Sequence, residues 1–158
     1  MVSPQEWGPH AWNLLHGIAE RVGRHDKTML IKDEQNAIRL TLRSFSALMP
    51  CLKCQSHYRS WCLKNPPELF LGQVGEDLRE SLQGWLYDLH EEVNSRKEVI
   101  SGIQRDALKE MYSNIHLRGE AAALRNVYQR GLQQGVLKSE DWKMAYKNLD
   151  FLLRYIGV

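Results

Sequence analysis

The chain reads as an all-α protein: an antiparallel helical bundle over its first hundred residues, followed by a C-terminal helical extension. Three observations carry this. Apolar residues recur at steps of three and four in several long segments, the spacing of one helix face. Alternating apolar and polar residues, the strand pattern, are scarce. Breakers fall between the periodic segments, at Pro50 and at Pro66-Pro67.

Taken in order, Trp12, Leu15, Ala19 and Val22 keep helical spacing, with Pro9 suited to a first turn. Residues 24–32 are polar and predict a loop. Asp33 and Glu34 then open a second helix with the face Ile38, Leu42, Phe45 and Met49, which Pro50 ends. A third helix starts at Cys51 and stops near Asn65. A fourth, from about Glu76 to Lys97, carries the stripe Leu78, Leu82, Trp85, Leu89 and Val93. In the extension, Ile103, Ala107, Met111 and Ile115 predict one helix, and Ala123, Val127 and Leu132 a weaker one. Asn114–Glu120, Gly131 and Gly135 mark turns. Ser139 suits a cap for a last, strongly apolar helix through Trp142, Tyr146, Leu149, Leu153 and Ile156.

Composition excludes several classes. The 158 residues are 43% hydrophobic and 25% charged, which is ordinary for a globular domain. A net charge of +2 is too small to argue for nucleic acid. No apolar run approaches spanning length, and no stretch resembles a secretion signal. Three cysteines are too few for a disulfide scaffold, so a reducing compartment with one special thiol pair is expected.

That pair is Cys51 and Cys54, in Pro50-Cys51-Leu52-Lys53-Cys54, with His57 and Tyr58 behind it. A helix N-terminus carries partial positive charge and stabilises a thiolate, so the pair suits a redox centre or a metal clamp. Two further clusters sit at helical i, i+4 spacing: Trp12 with His16, and His90 with Asn94. Their flat rings and polar hooks could hold a flat organic cofactor near sulfur. Taken singly, Trp12 and His16 would pass for core and His90 and Asn94 for polar surface.

Together, Trp7-Gly8-Pro9 with Trp12, Leu15 and His16, then Cys51, Cys54, His57 and Tyr58, then Trp85, His90, Val93 and Asn94 resemble the Erv/ALR family of FAD-linked sulfhydryl oxidases over roughly residues 5–98. The resemblance implies a four-helix bundle with a short fifth helix, an FAD cofactor and a homodimer. It implies oxidation of dithiol protein substrates by Cys51 and Cys54, with oxygen as the electron acceptor and hydrogen peroxide as product. It implies FAD contacts from Gly8, Trp12, His16, His57, His90 and Asn94, and from Tyr58 and Lys97. Glu91 stands where many members have Asn. A short member of this kind is similar to the cytoplasmic oxidases of large DNA viruses, which work in the host cytoplasm or at the virion assembly site. The expected organisation is an FAD-binding oxidase domain over 1–100 and a helical extension over 101–158. That extension has no cysteine and a lone His116, so it is expected to carry no redox chemistry and to pack on the core or a partner. Two other classes compete. One is a structural zinc module using Cys51, Cys54, His57 and Cys62, though those ligands sit in what reads as continuous helix. The other is a non-catalytic helical assembly protein.

Overall fold

Helix α1 (Pro4–Ala19) begins where the Ser3 N–H donates to the Glu6 carboxylate at 2.7 Å and Pro4 takes the first helical position. In this computed structural model, which describes residues 2–158, the helix therefore starts earlier than expected and Pro9 lies inside it. Pro9 is tolerated because the backbone bond it cannot make would go to the Gln5 carbonyl. Both residues are exposed, and water can take that place.

The loop after α1 is shorter than residues 24–32 suggest. It turns at Gly23, with φ of 77°, and α2 (Thr28–Ser44) starts five residues before Asp33. A Cβ on Gly23 would lie 2.1 Å from the Gly75 carbonyl oxygen, so only glycine lets this loop touch the start of α4. The first turn of α2 is mostly exposed, with only Leu30 and Ile31 half-buried, and its helical register is therefore faint in the sequence. Ile38, Leu42, Phe45 and Met49 are all buried as expected, although the chain tightens to a 3-10 turn over Phe45–Leu48. Cys51 caps α3 (Leu52–Lys64), and after a 3-10 turn at Pro67–Leu69 comes α4 (Gly75–Arg96), which buries Leu78, Leu82, Trp85, Leu86 and Leu89.

The extension departs more from expectation. The single helix predicted through Ile103 and Ile115 is instead a 3-10 turn at Arg105–Ala107 and the short α5 (Leu108–Tyr112). Leu108 and Tyr112 are buried there, while Met111 is exposed. Helix α6 (Leu117–Gln133) starts inside the stretch read as a turn, because the His116 ring accepts the Gly119 N–H at 3.2 Å and caps it. Its buried face is Leu117, Ala121, Leu124 and Gly131, and Leu132 is exposed. In helix α7 (Ser139–Tyr155) the N-cap position falls on Lys138, one residue before the expected one, with no side-chain capping bond. The Ser139 hydroxyl accepts instead from Tyr128 at 2.8 Å and ties α7 to α6.

Helix α1 packs on α4, α6 lies along α1, and α7 lies along α2. The α1–α6 contact is close because Gly17 faces Leu117, whose side chain would sit 2.5 Å from any Cβ there. Leu14, Ile38 and Leu82 share one buried cluster with Leu124, Leu149 and Leu153, so the extension completes the core of the first hundred residues. Among the described residues there is no strand, and no helix is long and apolar enough to cross a membrane.

Candidate functional site

The first centre is the head of α3. Pro50 ends the preceding segment, and Cys51 takes extended backbone geometry as the cap. Its Sγ accepts the Cys54 N–H at 3.2 Å, a hydrogen bond that would also stabilise a Cys51 thiolate. The two sulfurs are bonded as a disulfide, with Cα atoms 5.2 Å apart, and both residues are half-buried. Gln55, one turn on, is buried, and its side-chain amide donates to the Met49 carbonyl at 2.7 Å and the Val136 carbonyl at 2.9 Å. The redox pair is thereby pinned to the turn between α6 and α7.

Further down α3, His57 is half-buried and its Nε2 is enclosed without a hydrogen-bond partner. Tyr58 is fully enclosed; its hydroxyl donates to the Leu42 carbonyl and its ring stands edge-on to Trp85. Burial pushes that phenol well above its ordinary range. Cys62 is a buried free thiol, likewise pushed up by burial, which disfavours its reactive thiolate form. Among the described residues no group of three or more His, Cys, Asp or Glu is placed to hold a metal ion. The four residues of the zinc alternative therefore do not converge.

The second centre joins α1, α4 and α5. The rings of Trp12 and His90 stack 3.8 Å apart at 6°, a pairing across the bundle that helical spacing alone does not reveal. His16 Nε2 meets His90 Nδ1 at 3.0 Å, and the Tyr112 ring stacks on His16 at 4.5 Å. A cavity of about 150 Å³ opens here, lined by His16, His90, Asn94, Tyr87, Leu108 and Tyr112 among others. The spacing predicts the faces Trp12/His16 and His90/Asn94 separately, and the fold brings Trp12 and His16 against His90. Trp12, which reaches the site only through its stack on His90, does not line this cavity, and neither do Gly8, Lys97 and the α3 residues. Gly8 lies one turn before Trp12 with open space beside it, and Lys97 is exposed at the end of α4. Tyr112 and Leu108 are lining residues that sequence reasoning misses. They come from beyond residue 100, so a boundary there cuts through the cavity lining.

Both histidines are held neutral. Burial, and then the neighbouring His90, push His16 down to about 3. Burial pushes His90 down to about 4; Lys97 adds to this and Glu91 opposes it. The unfolded chain takes up protons on both below about pH 6.5, while the folded chain does not. Stability supplied by the neutral pair is therefore complete above about pH 6.5 and is lost as pH falls towards 4. The expected loss between pH 7.5 and pH 5 is about 2 kcal/mol, after allowing for coupling and for the part-exposed His90. Glu20 and Glu34, whose carboxyls burial pushes up, act with the opposite sign over the same range. Urea midpoints at the two pH values, for the parent and for His16→Asn, separate these contributions. The loss should shrink in the variant, and an equal loss in both would show that His16 is charged in the folded state.

The Erv1 / Alr family model matches residues 9–113. The chain is 31% identical over 93 residues to the mitochondrial FAD-linked sulfhydryl oxidase erv1 of Schizosaccharomyces pombe, covering 58% of this chain and 45% of that protein. It is 33% identical over 97 residues to the FAD-linked sulfhydryl oxidase of African swine fever virus (isolate Warthog/Namibia/Wart80/1980), covering 60% of this chain and 72% of that protein. For the Pig/Kenya/KEN-50/1950 isolate the identity is 32% over the same length. The match thus spans less than half of the Schizosaccharomyces pombe protein, and the family match ends before α6. No solved structure matches the chain significantly.

Proposed function

The chain belongs to the Erv1/Alr family, and on that premise we propose that it is an FAD-dependent thiol oxidase that forms disulfides in protein substrates. The observation that carries this reading is a disulfide at the head of α3, in a helical bundle whose α1 and α4 present the Trp12–His90 stack.

The residues suit the cofactor. Trp12, His90 and Tyr112 offer flat faces, and neutral His16 and Asn94 offer donors and acceptors to a base or ribose. Of the residues the resemblance names, His57 carries an enclosed Nε2 without a partner, which a bound ligand could satisfy. Gly8 leaves room for close approach, and Lys97 supplies a cation for a diphosphate. Tyr58 would contribute its ring, since its hydroxyl is committed to Leu42. At about 150 Å³ the cavity takes one ring system, and the rest of a dinucleotide would lie outside it.

A substrate thiolate attacks Cys51 Sγ, the Cys51–Cys54 bond breaks, and Cys54 leaves as a thiolate within the first helical turn. The second substrate thiol then attacks the substrate sulfur of the mixed disulfide and releases Cys51, whose thiolate accepts the Cys54 N–H. The substrate ends as a disulfide, and the Cys51/Cys54 pair holds its two electrons. Bound FAD supplies the two-electron acceptor for that pair and the route from it to oxygen, giving hydrogen peroxide.

The oxidase unit is proposed to run to about residue 113, with α5 as its fifth helix and α6–α7 as the extension. The viral relatives support a viral origin, and action in the host cytoplasm is part of the proposal. The homodimer that the resemblance implies meets a competing fact: α6 and α7 cover α1 and α2 within one chain, which favours a monomer.

The test is colour. Purified protein should be yellow, with a flavin spectrum at one FAD per chain. His90→Ala with Asn94→Ala should lower occupancy at least about tenfold, because the stack and a polar hook both go. Full flavin occupancy in that double variant would show that the second centre is not the cofactor site.

A further inference from the structure

A groove of about 490 Å³ lies between the first turns of α3, the end of α2 and the turn joining α6 to α7; Cys51 and Cys54 do not line it, but Leu52 and Gln55, which do, are their neighbours on α3. One wall is Leu52, Gln55 and Arg59, all on the helix that Cys51 caps; the other includes Val136 and Lys138. This second wall belongs to the extension, beyond the part of the chain that matches the family.

The wall is fixed relative to Cys51. Gln55, itself buried, holds the Met49 and Val136 carbonyls with one amide group, at 2.7 and 2.9 Å. The turn closes on itself, with the Val136 N–H donating to the Gly131 carbonyl at 3.1 Å and Gly135 at φ of 70°. Gly131 in turn sits against Pro50 and the Leu137 side chain, where a Cβ would meet them at 3.2 and 2.5 Å. Pro50 and Gln55 flank the redox pair in the chain, so the groove wall is held at a set position relative to Cys51.

The lining has a definite chemistry. Leu52 is 62% exposed and Met144 59% exposed, so apolar side chains stand free at both sides. Arg43 is neutralised by Glu68. Arg59 and Lys138 have no ion-pair partner among the described residues, against the single acid Asp141. Two apolar anchors with surplus positive charge suit a polypeptide carrying apolar and acidic side chains.

We propose that this groove seats the segment flanking the target dithiol in the substrate protein, that it selects acidic and apolar flanks, and that the α6–α7 turn is this chain's own substrate-selecting element. The proposal rests on the oxidase reading above. Docking brings the target thiol to Cys51 and changes no step of the chemistry.

The experiment compares three substrates on the flavin-loaded full chain: dithiothreitol, a Cys-Xaa-Xaa-Cys peptide flanked by Asp and Leu, and the same peptide flanked by Lys and Leu. The parent should favour the acidic peptide by about tenfold in kcat/KM, the effect of two exposed charge pairs. Arg59→Glu with Lys138→Glu, both surface changes outside the reacting groups, should reverse that preference. Dithiothreitol oxidation and the flavin spectrum should not change. A Ser-Xaa-Xaa-Ser version of the acidic peptide cannot react, and its fluorescence anisotropy reports docking alone; the double variant should weaken it about tenfold. A parent that does not oxidise dithiothreitol defeats the oxidase reading, whatever the peptides do. A parent that oxidises dithiothreitol yet treats both peptides alike overturns the groove proposal. So does a double variant whose main change is its mass in light scattering, which would assign the groove to contact between two copies of this chain.

Discussion

Cys54→Ser should lower dithiothreitol oxidation by about a thousandfold or more, with FAD still bound. The reaction needs a sulfur–sulfur bond to break, and a lone Cys51 thiol has none to offer an incoming thiolate. Cys51→Ser should fail equally, for a different reason: the sulfur that receives the substrate is gone. The two variants separate chemistry from folding. Cys51 caps α3, and serine is a favoured capping residue, so the helix start survives the change. Losing so short a disulfide loop costs about 2 kcal/mol on the chain-entropy account, which a domain of this size should tolerate. Cys62→Ser is the control. Its thiol is buried and lies outside the pair, so oxidation rates should stay within about twofold, whatever the small cost in stability. Substantial turnover by Cys54→Ser would place the acceptor disulfide elsewhere and remove the exchange mechanism through Cys51 and Cys54.

How much of this is legible in the sequence follows from how local each feature is. Helices α4 and α7 each carry one apolar stripe, and α3 is set off by Pro50 before it and Pro66-Pro67 after it, so the bounds of all three fall within a residue or two of expectation. Helix α6 is misread because its buried stripe is weak in apolar signal. Leu117, Ala121, Leu124, Tyr128 and Gly131 share one face at steps of four and three, but Ala121 and Gly131 are small and Tyr128, which stacks on Trp142 of α7 at 4.1 Å, is polar at its tip, so the neighbouring stripe through Ala123, Val127 and Leu132 looks equally good. Pro9 misleads because a proline usually marks a helix start, and only the exposure of Gln5 makes it harmless mid-helix. At the site, the Cys51/Cys54 pair and the two i, i+4 pairs are readable because one helix sets each spacing. That Trp12 stacks on His90 and Tyr112 on His16 depends on how α1, α4 and α5 meet, which no local pattern encodes. Tyr112 also sits one residue off the stripe through Met111 that periodicity favours.

Ending the chain after Asn114 should abolish the folded monomer. Trp142, Leu149, Leu152 and Leu153 are buried on α7, which lies along α2. At about 1.5–3 kcal/mol for each large apolar side chain, they contribute roughly 6–12 kcal/mol, an upper bound that still rivals the whole stability of an ordinary domain. Removing α6 also uncovers Gly17 and the α1 face that received Leu117. The shortened chain would keep Leu108 and Tyr112, and so keep the cavity lining, which a cut after Gly102 would not. Its exposed α1 and α2 faces should then drive it to unfold or to associate, and light scattering should report dimers or larger species where the intact chain is expected to run as a monomer. Leu149→Ala probes the same interface without deleting it. Its side chain is fully buried, so the change should cost about 2–5 kcal/mol and lower Tm by roughly 10 °C. A truncated chain that stays monomeric with an unchanged Tm would show that α6 and α7 rest on the bundle without completing its core. An intact chain that runs as a dimer would mean that two copies meet through surface other than the covered faces of α1 and α2.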